Sequence, residues 1–178
     1  MKRNLLDIEI EIEKADIASQ PELDAVVNAA NAQLAPGGGV AGAIHNAAGP
    51  ALYQECRKLA PIKPGEAVLT GAYDLPNKYI IHCLGPVYGK DKPENELLAN
   101  CYKNSIRLAE KYNLNSIGFP GISTGIFGFP AKQAVEVVFN TVLAESPEIK
   151  HLKKIKFVVF SDEDLQLYKK KLQEISAG

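Results

Sequence analysis

The chain has 178 residues, 46% of them hydrophobic, enough for one well-buried core and too few for two ordinary domains, so one domain over residues 1–178 is expected. Twenty Lys and Arg against twenty-one Asp and Glu leave a formal charge of −1, which excludes a global field drawing the protein to nucleic acid or an anionic membrane. Cys56, Cys83 and Cys101 are odd in number and lack CxxC spacing, which argues against a disulfide scaffold or zinc site and fits core filler in a reducing, cytoplasmic compartment.

The opening MKRNLLDIEIEIE has a basic start but no apolar signal segment, and no apolar run approaches the roughly eighteen residues of a membrane span. Ile8, Ile10 and Ile12 alternate with Glu9, Glu11 and Glu13, predicting a strand with one solvated face close to a sheet edge. Short apolar runs at Ala25–Val27, Ala67–Leu69, Tyr79–Cys83, Ser116–Phe119 and Phe157–Phe160 predict five more strands, better buried. Gly65 to Cys83 reads as a hairpin that supplies an antiparallel pair. Helical spacing marks core faces at Leu98, Cys101, Ser105, Leu108 and Tyr112, at Ala131, Ala134, Val135, Val138 and Val142, and at Leu165, Tyr168, Leu172 and Ile175. Pro130 suits the first turn of its helix, and Ser161 or Asp162 can cap the last one. Lys153–Lys154 and Lys169–Lys171 read as solvated faces. Strands interleaved with helices imply an α/β fold with helices on both sides of a mainly parallel sheet.

Two loops stand apart. Val26 to His45, VVNAANAQLAPGGGVAGAIH, joins a strand to a helix expected to begin near Val40, and Gly118 to Pro130, GFPGISTGIFGFP, does the same further on; neither contains a charged side chain. Three consecutive glycines at Gly37, Gly38 and Gly39 cost entropy on folding, so they serve unusual backbone angles or close approach, a flexible turn being the bland alternative. At a helix start the first N–H groups are unpartnered and the dipole favours an anion. Gly37 to Gly42 satisfies G-x-G-x-x-G, but Asn28 to Pro36 separate it from the strand, so a Rossmann dinucleotide site is disfavoured; a P-loop would need a lysine that neither loop has. What remains is a pair of uncharged loops gripping a pyrophosphate through backbone N–H groups and the Ser123 and Thr124 hydroxyls. Asn28 and Asn31 can meet sugar hydroxyls or cap a turn, and Asp16 can accept an exocyclic amine or cap a helix. No residue set suggests a metal or a resident cofactor.

N-A-A-N at Asn28–Asn31, G-G-G-V-A-G-A-I-H-N-A-A-G at Gly37–Gly49 and G-I-S-T-G-I-F-G-F-P at Gly121–Pro130 resemble the macrodomain family, nearest its MacroD-type branch. The resemblance runs from A-D-I at Ala15–Ile17 to the last strand and helix. It implies a three-layer α/β/α sandwich with a mixed six-stranded sheet and an ADP-ribose cleft at its rim. On that resemblance Asp16 and Ile17 receive the adenine and Phe160 packs near it. Gly38, Gly39 and Val40 form one phosphate loop, and Ser123, Thr124, Gly125, Ile126 and Phe127 the other. Asn31 and Phe127 face the distal ribose, and Asn28 shapes the strand exit.

The resemblance implies an ADP-ribosyl ester hydrolase, acting on O-acetyl-ADP-ribose or on mono-ADP-ribosylated acidic side chains, with a non-catalytic ADP-ribose reader as the alternative. The expected partner is thus ADP-ribose or an ADP-ribosylated protein or metabolite. Hydrolytic MacroD-type members commonly carry Asp where this chain has Ala41, so turnover is expected to be slow and to rest on Asn31 and Phe127 positioning the reacting atoms. His45 could replace the missing base or, as preferred, bond to backbone and hold the sheet. His82 reads as strand core and His151 as surface.

Overall fold

The isoleucine–glutamate alternation near the N-terminus forms a strand, and the charged residues before it form another. In a computed structural model describing residues 1–177, β1 (Lys2–Leu5) pairs antiparallel with β2 (Ile8–Lys14) through a turn in which Leu6 has φ 55°. Ile8, Ile10 and Ile12 are buried, while Glu9, Glu11 and Glu13 make ion pairs on the other face with Lys2, Lys154 and Lys156. Lys154 is therefore no free solvated lysine: it lies half-buried between Glu9 and Glu11. Lys171 is similarly covered and donates to Glu136 at 2.6 Å.

The remaining strands are β3 (Ala25–Ala29), β4 (Ala67–Gly71), β5 (Tyr79–Cys83), β6 (Ser116–Phe119) and β7 (Lys154–Val159). They build one sheet of seven strands in the order β1-β2-β7-β6-β3-β5-β4, not the six expected. The extra strand is β1, whose KRNL sequence has three exposed residues and no apolar alternation to announce it. β2 accordingly lies one strand in from the edge. Gly65 to Cys83 forms the expected hairpin, β4 antiparallel to β5 from Ala67↔Cys83 to Gly71↔Tyr79. β2, β7, β6, β3 and β5 all run parallel, so their C-terminal ends meet on one rim of the sheet.

Helices cover both faces. α1 (Gly39–Ala48) and α2 (Ala51–Leu59) bury Ile44, Leu52 and Cys56 against Val26, Ile80 and Val158. α3 (Glu94–Lys111), α4 (Ala131–Glu145) and α5 (Asp162–Ser176) bury Leu98, Val138, Phe139 and Leu172 against Val27, Ile81 and Phe157. Consecutive strand residues thus serve opposite cores, as a period of two dictates. The predicted stripes lie inward except at one end: Tyr112 follows the last turn of α3 and is 43% exposed, whereas Tyr102 and Ile106 carry the burial. Glu94 and Glu96 lie in the first turn of α3 and Lys111 in its last, each complementing the helix dipole. Pro130 directly precedes α4, and the Ser161 hydroxyl accepts the Asp164 N–H at 3.0 Å to cap α5. All three cysteines are buried and free.

Candidate functional site

At the common rim, α1 begins on the glycine loop. Gly38 precedes it with no side-chain cap, Gly39 sits at φ 56°, and the first bond into the helix is Gly42 N–H to Gly38 O at 3.2 Å. The N–H groups of Gly39, Val40 and Ala41 consequently have no partner within the described residues, as the opening turn of a helix requires. A side chain at Gly42 would strike the Gly37 carbonyl oxygen, so glycine there lets the loop fold back over its own helix. Asn31 closes the other end: its Oδ1 accepts the Ala35 N–H and its Nδ2 donates to Ala35 O, both at 2.9 Å. Those bonds use half of the carboxamide, leaving one N–H and one lone-pair site beside Gly37. The turn reading of Asn31 is thus realised, and it coexists with a free binding edge.

The second loop leaves β6, the neighbour of β3 in the sheet. Ser123 adopts φ 64°, its carbonyl accepts the Phe129 N–H at 2.9 Å, and Gly128 N–H bonds Gly125 O at 3.0 Å. These bonds turn the loop into a nest in which the N–H groups of Thr124, Gly125, Ile126 and Phe127 have no partner among the described residues. Ser123 departs from the expectation that its hydroxyl faces a ligand. The residue is 8% exposed, its Oγ is buried without a partner, and it presses against Gly85, where any Cβ would collide with it. Only its backbone is available for contacts at the rim. Ile126 is wholly exposed, while Phe127 and Val40 pack on the same core cluster from the two loops.

Asp16 and Phe160 each follow a strand at the same end of the sheet, where Ala15 N–H bonds Val159 O at 3.3 Å as β2 and β7 end. Asp16 Oδ1 accepts the Ala18 N–H at 2.9 Å, a turn-capping bond that leaves its other oxygen open. Phe160 follows β7 and does not belong to it; at 92% exposure its ring stands free above the rim. Ile126 on the second glycine loop and Phe160 after β7 are thus both large apolar side chains that face water.

Behind this edge runs a buried polar relay, which sequence reading missed. Asn28 is wholly buried and opposes His82 across β3 and β5. Its Nδ2 lies 3.0 Å from His82 Nδ1, and His82 Nε2 lies 2.8 Å from Thr70 Oγ1, which donates its proton to Gly71 O. Thr70 must then accept from His82, so Nε2 carries the imidazole proton and Nδ1 accepts from Asn28. Burial, aided by neighbouring His45, pushes the His82 pKa down to about 3. Asn28 thus braces the strand exit and does not reach the surface. Its one available signal was a polar residue inside an otherwise apolar strand.

His45 is buried on α1, and burial lowers its pKa, so its ring is neutral. Its side chain makes no hydrogen bond to backbone, contrary to the preferred reading: Nε2 is buried without a partner, and the ring meets Tyr53 edge-on at 6.4 Å. Ala41, where the resemblance leads one to expect a carboxylate, is 6% exposed in the first turn of α1. A further contact closes the distal end, where Tyr88 N–H bonds Phe127 O at 2.9 Å. Hollows of about 330 and 440 Å³ flank Arg107 on α3 and involve none of these residues. No group of three His, Cys, Asp or Glu among the described residues is arranged to hold a metal ion, and no described helix is long and apolar enough to cross a membrane.

Comparison with known proteins places the chain in a family. The Macro domain model matches residues 27–138. An O-acetyl-ADP-ribose deacetylase of Klebsiella pneumoniae is 46% identical over 156 residues, covering 85% of this chain and 89% of that protein. ADP-ribose glycohydrolase MACROD2 of Homo sapiens is 47% identical over 156 residues, covering 86% of this chain and 37% of its own length. The macrodomain of Oceanobacillus iheyensis, solved with ADP, has a TM-score of 0.94 at 38% identity over 99% of this chain and 96% of its own. A variant of that macrodomain has been solved with ADPR. With the family model matched across both glycine loops and relatives this similar along most of its length, the chain belongs to the macrodomain family.

Proposed function

We propose that this protein, acting as one macrodomain unit, binds ADP-ribose at the rim and slowly hydrolyses ester-linked ADP-ribose. The observation that carries the reading is the two fans of unpartnered N–H groups, Gly39 to Ala41 and Thr124 to Phe127, on uncharged loops from neighbouring strands. A pyrophosphate between them exchanges water for fixed donors, with a helix dipole behind one of them. Asp16 and Ile17 take the adenine and exposed Phe160 covers it. Gly38, Gly39 and Val40 hold one phosphate, and Ser123 to Ile126 the other through backbone. Asn31 and Phe127 hold the distal ribose. The names of the Klebsiella and human relatives support this chemistry.

Hydrolysis breaks the bond between ribose C1″ and the ester oxygen, with water as nucleophile and the carboxylate as leaving group. Ala41 offers no base, and His45, whose pKa burial lowers, has its Nε2 buried without a partner. Acceleration then comes from orientation by the free half of Asn31 and from the fixed donors around the phosphates. A missing general base typically forfeits about 10²–10⁴-fold, which sets the expectation of slow turnover. The same Ala41 favours the second reading, a reader that binds ADP-ribosylated proteins without release. Three buried thiols and the near-zero charge support a reducing interior and no direct nucleic-acid partner.

Titration with ADP-ribose, ADP and NAD tests recognition, and failure to prefer ADP-ribose would remove the assignment. Incubation with O-acetyl-ADP-ribose or a mono-ADP-ribosylated acidic substrate separates enzyme from reader. Release abolished by Asn31→Ala identifies the enzyme; binding without release identifies the reader. Ala41→Asp should accelerate release if the absent carboxylate alone limits the native rate.

A further inference from the structure

The segment between β2 and β3 has no helix or strand of its own, yet hydrogen bonds from two buried carboxamides fix its shape. Gln20, 2% exposed, donates from Nε2 to the Asp16 carbonyl at 2.8 Å. Asn77, 8% exposed and far along the chain before β5, donates from Nδ2 to the carbonyls of Gln20 at 2.8 Å and Leu23 at 2.7 Å. The acceptor halves of both side chains, Gln20 Oε1 and Asn77 Oδ1, are buried with no partner. These amides are therefore placed for their N–H groups, at the cost of an orphaned oxygen each.

The two form a chain that ends at Asp16: Asn77 holds the Gln20 backbone, and the Gln20 side chain holds the Asp16 carbonyl. Its carbonyl accepts from Gln20 and from Ser19 N–H, and its Oδ1 accepts from Ala18 N–H, which leaves Oδ2 and the Ile17 N–H without partners among the described residues. An acceptor beside a donor matches the amino group and adjacent ring nitrogen of adenine. Hypoxanthine places a carbonyl oxygen where adenine has the amine and meets the carboxylate acceptor to acceptor.

We propose that Gln20 and Asn77 are positioning residues for base recognition, bracing Asp16 and Ile17 in the adenine-selective arrangement before a ligand arrives. The proposal rests on the ADP-ribose reading above and adds the source of its base selectivity. A brace that served folding alone would weaken all ligands alike when cut; a preorganising brace weakens the ligand that uses the braced groups.

The test is calorimetric titration of the full chain with ADP-ribose and with its hypoxanthine counterpart, inosine diphosphate ribose, alongside circular-dichroism melts. The wild-type chain should prefer ADP-ribose. Gln20→Met, which keeps the bulk and removes the donor, should shrink that preference about tenfold while binding of the hypoxanthine ligand stays within about twofold. Asn77→Ala cuts the brace from its far end and should act in the same direction, and it decides the matter if Gln20→Met does not fold. Preference retained in a folded variant, equal weakening of both ligands, or failure of both variants to fold would overturn the proposal. A wild-type chain that binds both ligands without preference overturns it while leaving ADP-ribose binding intact; one that binds neither removes the underlying reading as well.

Discussion

Acidification should destabilise this fold well before its carboxylates titrate, and His82 is the reason. The imidazole is wholly buried, and its pKa is pushed to about 3 from an ordinary 6.5. A proton added at Nδ1 would also face the Asn28 Nδ2–H that now donates to it at 3.0 Å. With the folded value depressed, the stabilising contribution is complete above pH 6.5 and is lost as pH falls from there toward 3. At pH 5 the unfolded chain has taken up the proton and the native chain has not. That gap of about 1.5 pKa units corresponds to about 2 kcal/mol. His45, also held below its ordinary value by burial, adds a loss of the same sign. Glu11, Glu22, Asp24 and Glu110 have lowered values and contribute their losses below about pH 4.5, outside this window. Urea unfolding followed by circular dichroism at pH 7.5 and pH 5 reads the loss directly. His82→Gln, which cannot ionise, should lose about 2 kcal/mol less between the two pH values, equivalent to about 4–8 °C in melting temperature. Identical losses in the two proteins would refute the assignment of the buried proton site to His82.

Other expectations follow from local geometry. Gly42→Ala should gain about 1 kcal/mol in helix propensity, yet its methyl would strike the Gly37 carbonyl and displace the glycine loop. ADP-ribose affinity is expected to fall by about tenfold to a hundredfold, and unchanged calorimetric affinity would show that the loop gives way freely. Lys156 is 4% exposed; burial opposes its charge, but bonds to Glu13 and Glu22 outweigh this and raise its pKa. Lys156→Met frees two half-exposed carboxylates into water, so urea unfolding should place stability within about 1 kcal/mol of wild type.

The β2 strand, the β4–β5 hairpin, three amphipathic helices and both glycine loops were legible because each is written in neighbouring residues. Apolar spacing sets a face, and a run of glycines without charge marks a loop whose backbone N–H groups stand free. β1 was illegible because KRNL forms a strand by pairing with Glu11 to Ile8, not through any pattern of its own. Lys154 gave no local sign of burial for the same reason, since the glutamates that cover it belong to another strand. At the candidate site, motif resemblance singles out Asn31, Gly39 and Phe127, but not the side-chain directions that decide their use.

By itself, then, the sequence determined the α/β class and the two phosphate-loop candidates, since periodicity and local backbone chemistry need no partner; that Ala41 stands where a carboxylate is common is what the family resemblance adds. Tertiary structure alone decided that Asn28 faces His82 and lies buried, that the Ser123 hydroxyl turns toward Gly85, and that Asn77 holds Gln20, which in turn holds Asp16. Those contacts join residues far apart in the chain through strand register and loop closure, and a hydrogen bond depends on where its two ends meet in space.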